Sequence, residues 1–109
     1  MADITIGKSL HRQALAANTE QRVIIDATDA TGGERQMRIT NHGTDATGNG
    51  TIYFRWWDTT NGTATAAAVG ADGTDEVQAG MWGIVDLPSG NKTVSLICAT
   101  ANTFSIVCW

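Results

Sequence analysis

Short runs of alternating apolar and polar residues, separated by clusters of Gly, Asp, Asn, Ser and Thr, govern what this chain can fold into. The runs are Ile4–Ile6, Arg22–Ala27, Arg35–Thr40, Thr51–Trp57, Ala64–Val69, Met81–Leu87, Thr93–Ala99 and Thr103–Trp109. Between them lie turn-forming stretches at Asp29–Gly33, Asn41–Gly50, Thr59–Gly62, Gly70–Thr74 and Pro88–Asn91. A period of two is the mark of a strand with one buried face, and Gly, Asp and Asn supply the backbone freedom and local hydrogen bonds of tight turns. Thr recurs while Leu and Glu are scarce, which favours strands over helices. The pattern predicts an all-β fold: an antiparallel β-sandwich or jelly roll of about eight short strands.

A chain of 109 residues suits one hydrophobic core. Residues 21–109 are read as the single sandwich domain and residues 1–20 as an N-terminal segment or arm. Lys8–Asn18 carries a partial amphipathic face (Leu10, Ala14, Leu15, Ala17) but no convincing cap, so an extended arm or loop is expected there. The repeated TDATG at Thr28–Gly32 and Thr44–Gly48 is explained by turn chemistry.

The last two runs predict a C-terminal hairpin. Val94, Leu96 and Cys98 share one face, as do Phe104, Ile106 and Cys108. Aligning both faces in one hairpin sets Cys98 opposite Phe104 and Val94 opposite Cys108, which separates the cysteines beyond disulfide reach. Both are expected as buried, unbridged residues. Because the chain closes on this element, loss of its last few residues is expected to harm folding.

Composition narrows the chemistry. The net charge is -4 and no Lys/Arg cluster occurs, so nucleic acid is not expected as a partner. No stretch approaches the roughly 20 apolar residues of a membrane helix, so no membrane is expected either. His11 and His42 belong to no catalytic motif, and the carboxylates at Asp26, Asp29, Asp72, Asp75 and Glu76 sit at turns where such groups cap backbone amides. The Asp-rich turns lack EF-hand ligand spacing, and no phosphate loop or dinucleotide fingerprint is present. No catalytic residue, metal or cofactor is therefore expected, and the chain is not read as an enzyme.

The candidate interface begins with Thr51–Asp58 (TIYFRWWD), where Ile52, Phe54 and Trp56 face one side and Tyr53, Arg55 and Trp57 the other. Either the first set fills the core and the second forms an outer interface, or the strand is central and covered on both faces by the fold itself, for example by Lys8–Asn18. Ile4 and Ile6 alternate in a segment suited to adding a strand to a partner's sheet. Trp109 is open to either core or interface, and Trp82 is expected in the core.

The segments MADITIGKSL, LPSGNKTVSL and ICATANTFSIVCW, with Thr/Gly-rich strands between them, give the chain a general style that resembles small virion proteins of tailed bacteriophages, most of all capsid decoration or cement proteins. That resemblance implies binding to a major capsid protein on the capsid exterior, as a homo-oligomer with a trimer favoured, after synthesis in the host cytoplasm. Two other readings stand beside it. One is a carbohydrate-binding sandwich with Tyr53, Trp57 and Trp82 stacking on sugars, and the other a head-tail connector or tail component.

Overall fold

The computed structural model describes residues 3–25, 35–45, 47–57, 69, 74–87 and 92–109. Among these the chain is all-β, with nine strands and no helix. In chain order they are β1 (Ile4–Ile6), β2 (Ser9–Leu15), β3 (Gln21–Ile25), β4 (Arg35–Asn41), β5 (Ile52–Trp57), β6 (Asp75–Val77), β7 (Trp82–Leu87), β8 (Lys92–Cys98) and β9 (Asn102–Cys108). They form a five-stranded sheet A, β1-β3-β8-β5-β6, and a four-stranded sheet B, β2-β9-β4-β7. Every pairing is antiparallel except β1 with β3, which is parallel.

Alternation decides which residues fill the space between the sheets. Sheet A turns Ile6, Val23, Ile25, Ile52, Phe54, Val77, Val94, Leu96 and Cys98 inward, and sheet B turns Leu15, Met37, Ile39, Phe104, Ile106 and Cys108 to meet them. Removing a side chain such as Phe104, Leu96 or Ile39 from water contributes about 1.5–3 kcal/mol each, and all three are fully buried. Both cysteines are free and buried in this core.

The segment read as an N-terminal arm contributes a strand to each sheet. β1 pairs with β3 through Ile4↔Val23 and Ile6↔Ile25. Ile6 is buried, and Ile4 packs against the core, so both serve this chain's own sheet instead of extending toward a partner's. β2 pairs with β9 across a bulge between Leu10 and Gln13. Within it Arg12 adopts a left-handed φ of 50°, and its backbone N–H donates to Ser105 Oγ at 2.9 Å.

The C-terminal hairpin is corrected by the pairing. β8 lies between β3 and β5 in sheet A, whereas β9 lies between β2 and β4 in sheet B. The assigned apolar faces do point into the core, but they meet across it instead of side by side. Alternation specifies a face and cannot tell a hairpin from an arch that carries the chain to the opposite sheet. Among the described strands only β5 and β6 are neighbours both in order and in a sheet.

One end of the sandwich is closed by a buried polar clasp. Asn41, at the end of β4, donates from Nδ2 to the carbonyls of Gly50 (2.7 Å) and Val77 (2.8 Å). Its Oδ1 accepts from Gly43 N (2.8 Å) and from Asn102 Nδ2 (3.1 Å). Sheet B is thereby tied to the β5–β6 side of sheet A. Gly43 is required by close approach, since a Cβ there would stand 2.8 Å from Asn102 Oδ1 and 2.9 Å from Asn41 Oδ1.

Candidate protein-binding face

The outer faces of the two sheets differ in chemistry. On sheet A, Arg22 and Arg55 both stand opposite Ser95, while Tyr53 stands opposite Ile97 on one side and Glu76 on the other. Ser95 Oγ donates to Glu20, whose other carboxylate oxygen accepts from Arg22 Nε at 3.1 Å. Tyr53 and Arg55 are half-buried, and Ser95 and Thr93 are fully buried although they point outward. On this face Glu20, Arg22 and Ser95 are bonded to one another, beside the half-buried Ile24 and Ile97. Trp57 continues the strand opposite Thr93, but its side chain lies outside the described residues, as do Asp26, Asp29, Asp72 and the first TDATG copy.

Sheet B carries the exposed apolar surface. Trp82 and Ile84 of β7 stand beside Thr40 and Arg38 of β4, which stand in turn beside Ser105 and Val107 of β9. Trp109 pairs through two backbone hydrogen bonds with Gln36, at 2.9 and 3.0 Å, and Gln36 Nε2 donates to Asp86 Oδ1 at 3.1 Å. Trp82 is 61% exposed, Met81 57%, Trp109 54% and Ile84 46%. A shallow cavity of about 240 Å³ adjoins them, lined by Glu76, Val77, Gln78, Met81 and Trp82. Trp82 is therefore not a core residue. Met37, Ile39 and Val85 take the inward positions of β4 and β7, and the inward position beside Trp82 is held by Gly83, whose missing side chain leaves room for Val77 Cγ2.

At the upper margin of this face His42 Nε2 and Ser105 Oγ are 2.7 Å apart. Partial burial, and next the Arg12 guanidinium, hold the imidazole below its ordinary pKa, which favours the neutral ring that can accept the Ser105 hydroxyl. A nucleophile–base pair needs a third group to orient the base, and among the described residues no carboxylate hydrogen-bonds to His42. The nearby Asp45 instead caps its own turn, accepting from Thr47 N (2.9 Å) and Thr47 Oγ1 (2.6 Å), and these bonds hold its pKa below the usual value. Among the described residues no group of three or more His, Cys, Asp or Glu side chains gathers as metal ligands would.

The candidate interface residues named from sequence lie apart: Tyr53, Arg55 and Trp57 belong to β5 and Ile4 and Ile6 to β1, all in sheet A, while the exposed Trp109 pairs with Gln36 of sheet B. The sugar-stacking set is divided in the same way, since Tyr53 and Trp82 stand on opposite sides of the sandwich. Sequence reasoning missed Trp82 and Ile84 as surface residues, because an apolar strand facing outward has the same alternation as one facing in. Gly83 was the available signal, as the small residue on the other face.

No protein-family model matches the chain, and no curated protein sequence does. Among solved structures it is similar in fold to the pre-peptidase C-terminal domain of a collagenase from Bacillus anthracis, with a TM-score of 0.56, 5% identity, and coverage of 98% of this chain and 92% of that one. At that identity the likeness concerns the fold alone, an all-β architecture. It also corrects the capsid-decoration function expected above. That expectation rested on the general style of Thr/Gly-rich strands, and the fold those strands build is shared with a domain of a collagenase, which points away from a capsid shell.

Proposed function

We propose that this chain is a non-catalytic binding domain whose working surface is the outer face of sheet B and whose partner is a protein. The observation that carries the reading is the coincidence of Trp82, Ile84 and Trp109 on the outer face of sheet B, with Met81 beside Trp82, which together are four of the five exposed large apolar residues among those described. Exposed tryptophans with Arg38 and Gln36 between them are of the residue types enriched in interface centres. The likeness to a domain of a collagenase concerns the fold and is silent on the partner.

The test is site-specific photo-cross-linking. A cross-linker replacing Trp109 is expected to capture a protein in extracts of the source cells, and capture should fall at least tenfold when Trp82→Ser is added. The same cross-linker at Tyr53 should capture little. Equal capture from both positions, or capture from Trp109 that Trp82→Ser leaves unchanged, contradicts the reading.

A further inference from the structure

Among the described residues four strands end the two sheets, and they are not treated alike. β1 and β6 are three residues long, and β6 carries Asp75 and Glu76. β2 is interrupted by the bulge between Leu10 and Gln13, with Arg12 at φ 50°. Short length, charge and bulges are the devices that keep an edge from pairing with another chain. β7 is neither short nor bulged, and carries a single charge at Asp86. It runs six residues, WGIVDL, in unbroken register with β4, without Lys or Pro. Among the described residues no strand pairs with its far side.

Hydrogen-bond parity shows what that edge presents. Gln36 exchanges both backbone bonds with Trp109, and His42 N donates to Thr103 O at 2.9 Å, so even-numbered β4 residues bond to β9. Asn41 N donates to Met81 O at 2.9 Å, so odd-numbered ones bond to β7. Gly83 and Val85, opposite Ile39 and Met37, accordingly bond to β4. Trp82, Ile84 and Asp86 direct their N–H and C=O groups to the open edge.

We propose that β7 pairs antiparallel with β7 of a second copy of this chain about a two-fold axis at Ile84, joining two four-stranded sheets into one continuous sheet. In this register Ile84 meets the partner's Ile84, and Trp82 meets the partner's Asp86 on each side, each pair exchanging two N–H···O bonds. Every outward amide of the strand is satisfied, and the carboxylates stay apart. Centring the axis on Asp86 instead would oppose two carboxylates, and centring it on Trp82 would leave Ile84 and Asp86 unpaired. A second copy is favoured over an unrelated peptide because the strand's own register pairs every outward N–H and C=O of the edge and opposes no two carboxylates. One strand edge buries less than the roughly 1,200 Å² of a stable standard interface, so the association is weak and depends on concentration. It is carried by the backbone and is separate from what docks on the face.

Sedimentation equilibrium from about 1 µM to 1 mM, with amide exchange by NMR at both ends, tests the pairing. The mass is expected to rise from one chain toward two, with protection of the Trp82, Ile84 and Asp86 amides increasing at least tenfold. Ile84→Pro removes an outward N–H at a position where an edge strand tolerates proline, and it should hold the chain monomeric with unchanged circular dichroism. Ile84→Lys keeps the backbone and opposes two like charges across the axis, and should do the same. A single-chain mass throughout overturns the proposal, as does a dimer that survives both variants or leaves those amides unprotected. A single-chain mass for the native chain, with cross-linking from Trp109 retained, would overturn this proposal and leave the binding face standing.

Discussion

At the residue scale, Asn41 and His42 sit side by side and do opposite things. Asn41 is 1% exposed and satisfies two carbonyls and one amide that have left water. An unsatisfied buried group costs about 1–3 kcal/mol, so Asn41→Ala is expected to destabilise the fold by about 3 kcal/mol or more in urea unfolding. A loss under about 1 kcal/mol would show that the clasp is not structural. His42 has a folded pKa below its ordinary 6.5. Between those two values the unfolded chain binds more protons than the folded one, so this group's contribution is fully present above about pH 6.5 and is lost as pH falls toward the folded value. Stability of the native chain should therefore decline faster below pH 6.5 than that of His42→Gln, read as the difference between their melting temperatures across pH 5–8. Parallel curves would count against the assignment. Neither role was legible in sequence, since an Asn or His at a strand end looks the same whether it caps a loop or ties two sheets.

At the element scale, alternation located β1, β3, β4, β5, β7, β8 and β9 within a residue or two. The run at Ala64–Val69 lies almost wholly outside the described residues, with Val69 alone described, exposed and in a turn. β2 escaped because its bulge breaks the period. Leu10 and Leu15 are five positions apart, which simple alternation sends to opposite faces, yet Leu10↔Ile106 and Leu15↔Asn102 place both on the inward side. β6, reading Asp-Glu-Val, is too short and charged to signal a strand. The bulge makes its own prediction. Arg12 occupies a left-handed φ of 50°, which glycine and asparagine adopt readily and β-branched residues do not. Thermal denaturation should show Arg12→Gly within about 1 kcal/mol of the native chain and Arg12→Val destabilised by about 1–2 kcal/mol. Equal melting of the two variants would mean that the bulge is not set at Arg12.

At the scale of the whole molecule, the sandwich class was legible because it follows from face assignments, while the connectivity was not. Most consecutive strands cross between sheets, and each crossing keeps an apolar face inward just as a hairpin would. The interface residues chosen from sequence were dispersed for the same reason, since they were selected by type and without knowledge of which sheet each strand joins. The position of β9 at the centre of sheet B predicts a sharp boundary for truncation. Removing Trp109 alone sacrifices two backbone bonds and an exposed ring and should cost about 1–2 kcal/mol. Removing residues 104–109 deletes Phe104, Ile106 and Cys108 from the core and should abolish cooperative unfolding by calorimetry.

The central claim is that recognition belongs to the outer face of sheet B and not to that of sheet A. Carbene footprinting read by mass spectrometry, on the chain alone and in its cross-linked complex, tests this most directly. Trp82, Ile84 and Trp109 should be strongly labelled in the free chain and protected in the complex, with labelling at Tyr53 unchanged. Protection of Tyr53 with Trp82 still labelled would place the working surface on the opposite side of the sandwich and contradict the account.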